Sequence, residues 1–303
     1  MNRLIGPLLL LVTTLIWGAA FLAQKLGMDH YGPFTMTVFR NILGGAFLLG
    51  FLAVRKAFAP GRPFIAAPKA TLVGGVASGI VLFVAMQLQQ MGLLYTMPGT
   101  SAFLTANYVL AVPVLGLFLG RRAGWSVWAG VALALGGTAL ICLAGPVQAG
   151  KGELLTLLCA LGFAVQILVV DHYAPKVDIV AMSCVQLFTV AVVGAPFLLL
   201  PSEMAQLSWA NLLAGWKALA FCGILSSGVA YTLQNVAQGR TAPALAAILM
   251  SLESVFGVLF GWLILNDLMS GRQLLGCALV FAAVILTQVF DSCDKTPDSD
   301  LGR

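Results

Sequence analysis

TAPALAAILMSLESVFGVLFGWLILND, residues Thr241 to Asp267, is an apolar run that carries one carboxylate, Glu253, near its middle. About 20 mostly apolar residues suffice to cross a bilayer as a helix. A carboxylate at that depth costs about 2.5–3.5 kcal/mol on insertion scales, so such a group normally faces the protein interior or a water-filled cavity. The run therefore makes the chain a membrane protein and marks its own centre as a place where polarity is needed.

The rest of the composition agrees. Of 303 residues, 60% are apolar and only 9% charged, far from the balance of a soluble domain. The net charge of +5 could suggest nucleic acid, but the basic residues sit in short connections rather than in one patch, so no nucleic-acid partner is expected. Six cysteines show no C-x-x-C pair and no metal-ligand spacing. They read as small packing residues. The first apolar run is about 20 residues, longer than a secretory h-region, and other runs follow it, so it reads as the first span.

Apolar runs bounded by charge, Pro or Gly predict ten spans, at 4–24, 33–54, 70–91, 98–119, 125–143, 153–170, 179–200, 213–236, 242–265 and 273–290. The connections Val54–Lys69 and Pro201–Lys217 are the long ones, and neither is long enough for a soluble domain. With the N-terminus in the cytoplasm, Arg3, Arg55, Lys56, Arg62, Lys69, Arg121, Arg122, Lys176, Arg240, Lys295 and Arg303 fall on the cytoplasmic side. Lys25, Lys151, Lys217 and Arg272 fall opposite, and Arg40 lies inside a span. That bias follows the positive-inside tendency and places both termini in the cytoplasm of a bacterial cell.

The chain also repeats itself. At a shift of 146, LIWGAAF (Leu15–Phe21) lies over LGFAVQI (Leu161–Ile167), GPFTMTVFR (Gly32–Arg40) over DIVAMSCVQ (Asp178–Gln186), and FLGRRAGWSVWAG (Phe118–Gly130) over ILNDLMSGRQLLG (Ile264–Gly276). The expected fold is an all-α membrane protein of ten transmembrane helices in two inverted five-helix repeats, 1–145 and 150–290, with 291–303 a disordered cytoplasmic tail. Five is odd, so the second repeat enters the membrane in the opposite sense. Sites in such proteins form at the repeat interface near the midplane.

The intramembrane ions Arg40 and Glu253 are the first candidates for that site, either as a pair or as two poles for a zwitterion; the bland alternatives are a structural ion pair or a snorkelling arginine. Amides surround them in the sequence. Gln87 and Gln90 share a helix face, Tyr231, Asn235 and Gln238 share another, and Asn107 with Tyr108, Trp17 and Gln24, Gln166, and Gln186 add to the set. Interhelical hydrogen bonding would explain any one of them. Together, with Trp17, Tyr108 and Tyr231 interleaved, they predict an amphipathic substrate pocket. The one-residue ambiguity of the repeat alignment puts either Asn107 or Tyr108 opposite Glu253. Gly75–Gly79, Gly116–Gly120 and Gly257–Gly261 have the spacing of close helix packing. Pro113 is expected to kink or loosen its helix. Phosphate-loop, H-E-x-x-H and G-x-S-x-G motifs are missing, and His30 and His172 are expected in loops. No catalytic residue, cofactor or metal site is expected.

WGAAF at 17–21, PFTMTVFRNILGGAFLL at 33–49, TSAFLTANYVLAVPVLGLFLGRR at 100–122 and AAILMSLESVFGVLFGWLILND at 246–267, with Gly276 following, resemble the EamA-type members of the drug/metabolite transporter superfamily. The resemblance spans about Leu4 to Phe290. It implies a ten-helix carrier of small metabolites, often an exporter of amino acids or amphipathic compounds, with helices of both halves around a central cavity and the fifth and tenth more peripheral. Two departures stand out: the family's Glu-Pro in the ninth helix is Glu253–Ser254 here, and the acidic residue after that helix appears as Asn266–Asp267. The leading reading is a secondary carrier working by alternating access, with proton coupling through Glu253 a weaker addition and a homodimer compatible with the pattern. A membrane-embedded enzyme acting on a lipid or isoprenoid, or a membrane scaffold or sensor, are the alternatives.

Overall fold

The computed structural model describes residues 4–59, 65–96, 98–143, 150–265 and 270–294. Among them every regular element is helical. In chain order these are α1 (Ile5–Met28), α2 (Pro33–Phe58), α3 (Pro68–Gly92), α4 (Pro98–Thr105), α5 (Tyr108–Phe118), α6 (Trp125–Cys142), α7 (Lys151–Tyr173) and α8 (Ile179–Gly194). Next come α9 (Pro201–Met204), α10 (Trp209–Ala214), α11 (Trp216–Ala220), a π-helical stretch Phe221–Ala230, α12 (Tyr231–Gln238), α13 (Pro243–Met250), α14 (Leu252–Leu265) and α15 (Gly271–Asp294). Taken as continuous rods, with α4–α5, α11–α12 and α13–α14 each forming one, they give ten helices long and apolar enough to cross a membrane.

The surface is inverted relative to a soluble protein. Leu8, Phe51, Leu72, Leu154 and Leu274 are exposed, whereas Thr13, Asn41, Gln90, Gln186 and Asn235 are buried. Apolar side chains on the outside suit hydrocarbon, and polar ones must find partners within the bundle.

Small residues set how closely the rods approach. A Cβ on Gly137 would lie 2.6 Å from the carbonyl oxygen of Gly276, and one on Gly276 2.6 Å from that of Gly137, so α6 and α15 touch backbone to backbone. The Gly75–Gly79 pair packs against Val185 and Thr189 of α8 as the spacing predicts. Gly116–Gly120 does not: Gly120 has φ +75° and ends α5 in the left-handed conformation that glycine adopts without strain. Gly261 lies outside the residues whose side-chain surroundings are described.

Spans four and nine are both interrupted. The first half breaks at Ala106–Asn107 and the second at Ser251, and 107 plus 146 is 253, so the breaks fall within about a turn of equivalent positions. Pro113 is not the cause, since α5 runs through it. At the first break the Asn107 amide donates to the carbonyls of Phe103 (3.1 Å) and Leu104 (3.2 Å). At the second, the Ser251 hydroxyl donates to Ile248 O (2.6 Å) and that of Ser254 to Ser251 O (2.8 Å). Serine hydroxyls thus supply the hydrogen bonds to carbonyls at the second break.

Two differences from the predicted boundaries follow. His172 lies in the last turn of α7 rather than in a loop, because the helix continues to Tyr173. Helix α15 extends through Asp294, into the segment expected to be tail. The rest of that tail, residues 295–303, and Asn266–Asp267 lie outside the described residues.

Candidate functional site

Helix α1 brings WGAAF to the centre. A Cβ on Gly18 would lie 2.6 Å from Phe256 Cβ and 2.8 Å from Gly257 N, so α1 rests directly on α14. That contact turns Trp17, Ala20, Phe21 and Gln24 into one wall of a cavity. The rest of the lining comes from α4 and α5 (Thr105, Tyr108), α7 (Phe163, Gln166, Ile167), the π-stretch and α12 (Ser226, Tyr231, Gln234), and α13 and α14 (Met250, Glu253), with Arg40 and Gln89 completing it. The cavity is narrow, with a volume of about 50 Å³.

The lining obeys the repeat. Trp17 and Phe163, Ala20 and Gln166, and Phe21 and Ile167 are each 146 residues apart, and all six line the cavity. The cavity is therefore built from matching faces of the two halves.

Arg40 is 4% exposed and, among the described residues, has no acidic partner. Its Nε donates to Ser227 Oγ (3.0 Å), Nη1 to Gln24 Oε1 (3.1 Å) and Nη2 to Ser226 Oγ (3.0 Å). The π-helical stretch is what presents two consecutive serines to one guanidinium; such stretches often mark functional sites. Gly44, one turn beyond Arg40, lets α2 approach that stretch, since a Cβ there would lie 2.7 Å from Gly223 O. Trp17 Nε1 donates to Ser226 O (3.3 Å), and its ring lies 4.9 Å from that of Tyr231.

Glu253 is 6% exposed and sits in the first turn of α14, where the helix dipole favours a carboxylate. Tyr108 donates its hydroxyl to Glu253 Oε1 at 3.2 Å. Of the two residues that the repeat alignment offers, Tyr108 touches Glu253, while Asn107 turns back onto its own helix. Arg40 and Glu253 form no ion pair, yet both line the same cavity.

Of the candidate residues, Trp17, Arg40, Tyr108, Gln166, Tyr231 and Glu253 meet in the cavity. Asn107, Gln186 and Asn235 are placed elsewhere: Asn235 Nδ2 donates to Ser183 Oγ and Gln186 Oε1, both at 2.9 Å, joining α12 to α8. Gln87 and Gln90 are buried with neither end of their amides partnered among the described residues, and neither lines the cavity. Sequence reasoning passed over Gln89, Thr105, Ser226 and Gln234. For Gln234 the signal was present, because i, i+3 from Tyr231 is as good a helical neighbour as i, i+4.

The EamA-like transporter family model matches the chain twice, over residues 4–143 and 150–289. The chain belongs to the EamA-like transporter family. Among its relatives, an uncharacterized transporter of Archaeoglobus fulgidus is 28% identical, covering 95% of this chain and 87% of the relative. A probable terminal-alkyne amino-acid exporter of Streptantibioticus cattleyicolor is 27% identical, covering 91% of each. An uncharacterized inner membrane transporter of Escherichia coli is 24% identical over 90% of this chain and 87% of its own. A crystal structure with 20% identity superimposes with a TM-score of 0.79, covering 97% of this chain and 100% of that one, and shows the fold alone. This EamA-like chain is thus a multi-pass membrane transporter built from two repeats.

Proposed function

We propose that the chain is a secondary carrier of a small zwitterionic metabolite, an amino acid or an amphipathic relative, moved outward by alternating access around the central cavity. The observation that carries the reading is Arg40: among the described residues, a buried guanidinium held only by neutral groups, in the same cavity as a buried carboxylate held only by a tyrosine hydroxyl. A buried unpaired charge is costly, and a ligand of opposite charge offsets that cost. A zwitterion offers its carboxylate to Arg40 and its ammonium to Glu253, while the aromatic rings of Trp17, Phe163 and Tyr231 cover its apolar part. The related probable amino-acid exporter supports the substrate class and the outward direction. The Arg- and Lys-rich helix ends are taken as cytoplasmic on the positive-inside tendency.

Counterflow of radiolabelled amino acids into proteoliposomes tests this. Uptake driven by an internal amino-acid load, lost in both Arg40→Gln and Glu253→Gln, is the expected result. Failure to exchange any amino acid or α-amino-acid analogue, by protein that remains folded, would overturn the reading.

A further inference from the structure

Two glutamines that line the cavity, Gln166 and Gln234, are joined in a row with a third, Gln238, which does not line it. Gln238 Nε2 donates to the backbone carbonyl of Ile167 (3.3 Å), Gln234 Nε2 donates to Gln238 Oε1 (3.3 Å), and the same Gln234 Nε2 donates to Gln166 Oε1 (3.3 Å). The row has a fixed polarity. A backbone carbonyl only accepts, so Gln238 must turn its nitrogen toward Ile167 and its oxygen toward Gln234. Gln234 must then offer its nitrogen to Gln238 and, with its second hydrogen, to the Gln166 oxygen.

Two groups are left over, and they are complementary. Gln166 Nε2, a donor, and Gln234 Oε1, an acceptor, are buried and have no partner among the described residues. Both side chains line the cavity and are no more than 2% exposed. A buried donor and acceptor left unbonded each cost free energy, and an amide or hydroxyl group brought between them can satisfy both at once. An alkyl group can satisfy neither, and a carboxylate meets the Gln234 oxygen with like polarity.

We propose that Gln166 and Gln234 form the specificity floor of this carrier, and that its substrate is an amino acid whose side chain ends in a neutral group that both donates and accepts hydrogen bonds, an amide or a hydroxyl. This rests on the zwitterion reading above: Arg40 and Glu253 hold the charged end, and the glutamine floor reads the other. A site that hydrogen-bonds a substrate discriminates strongly against the analogue that lacks the group, because its own polar atoms are then stranded.

The test is a competition series on reconstituted wild-type protein, with L-glutamine, L-asparagine and L-homoserine against the apolar L-norleucine and the acidic L-glutamate, each displacing a labelled amino acid in counterflow. At least one amide or hydroxyl side chain is expected to compete about a hundredfold better than norleucine. Gln234→Leu should shrink that gap to within about threefold by weakening the polar competitor and not norleucine. Gln166→Glu, which replaces the free donor with an acceptor, should shift preference toward L-ornithine, whose side chain only donates. Norleucine competing as well as every amide and hydroxyl probe would overturn the floor while leaving the carrier reading intact. No competition by any zwitterion would overturn the carrier reading itself. The wild-type series stands even where a variant fails to fold.

Discussion

Arg40 is buried without an acidic partner among the described residues, a cost to stability that its proposed role as the partner of a substrate carboxylate would offset. Its three bonds go to hydroxyls and an amide, which solvate a cation without neutralising it. Replacing it with glutamine removes a buried charge and keeps a hydrogen-bonding group, so Arg40→Gln should melt at or above the wild-type temperature in detergent. The same change removes the partner for a substrate carboxylate and should lower apparent substrate affinity about thirtyfold or more, measured by counterflow. A variant that melted well below wild type would show that Arg40 holds the helices together rather than the substrate. Sequence reading could find Arg40 and Glu253 because a charge in an apolar run is conspicuous. It could not find Ser226 and Ser227, because a serine in an apolar run looks like any small residue until the guanidinium it touches is known.

At the scale of elements, the two interrupted rods bring Tyr108 and Glu253 into the candidate cavity. Asn107 is a binding candidate on sequence grounds, yet its amide is spent on the carbonyls of Phe103 and Leu104 at the break. Asn107→Leu should therefore destabilise the protein by about 1–3 kcal/mol, seen as a lower melting temperature, while substrate affinity in the folded fraction stays within about twofold of wild type. A large loss of affinity without loss of stability would return Asn107 to the site. Close packing gives a second prediction. Gly137→Leu forces a side chain against the Gly276 carbonyl and should cost about 1–3 kcal/mol or more. Gly136→Ala next to it meets nothing within 4 Å and should be neutral or slightly stabilising. A thermal melt of the pair checks both. Glycine spacing alone did not separate these cases: Gly75–Gly79 packs two helices, whereas Gly120 ends one.

For the whole molecule, contacts between the repeats lie at both ends of the bundle. At the Arg-rich end, Arg55 pairs with Asp178 and Arg121 with Asp171, each joining the first half to the second. At the other end Glu203 accepts from Phe34 N (3.2 Å), Thr35 N (2.9 Å) and Thr35 Oγ1 (2.7 Å), capping α2, and Tyr31 donates its hydroxyl to Leu212 O (3.1 Å). A carrier that exposes its cavity to alternate sides must loosen one set at a time. Burial alone would raise the Asp178 carboxyl, but hydrogen bonds from Arg55 and from the Ala181 N–H outweigh it and hold it below its ordinary value of 3.8. A depressed folded-state value means that this stabilisation is present above the unfolded-state value of about 3.9 and is lost as pH falls through the folded one. Asp178→Asn should accordingly melt lower than wild type by a nearly constant margin, about 1 kcal/mol, from pH 5 to 8, and the margin should close only below about pH 4. A margin that changed between pH 6 and 8 would assign the pH response to another group.

The amino-acid sequence by itself determined that this is a membrane protein of ten spans in two repeats, because the bilayer demands long apolar runs and the repeats carry a common shift of 146. It also marked both intramembrane ions, because a charge placed in hydrocarbon persists only where its use offsets the cost of burying it. Only the tertiary structure decided which amides belong to the cavity. Gln166 and Gln234 line it, Gln186 and Asn235 bond one another, and Gln87 and Gln90 lie apart, though all six are the same kind of residue in the same kind of helix. The physical reason is that helical spacing fixes which side chains share a face, while the rotation of each rod about its own axis is set by contacts with distant rods. Gly18 against Gly257 and Gly44 against Gly223 are such contacts. Their partners lie more than 170 residues away in the chain, beyond the reach of any local pattern.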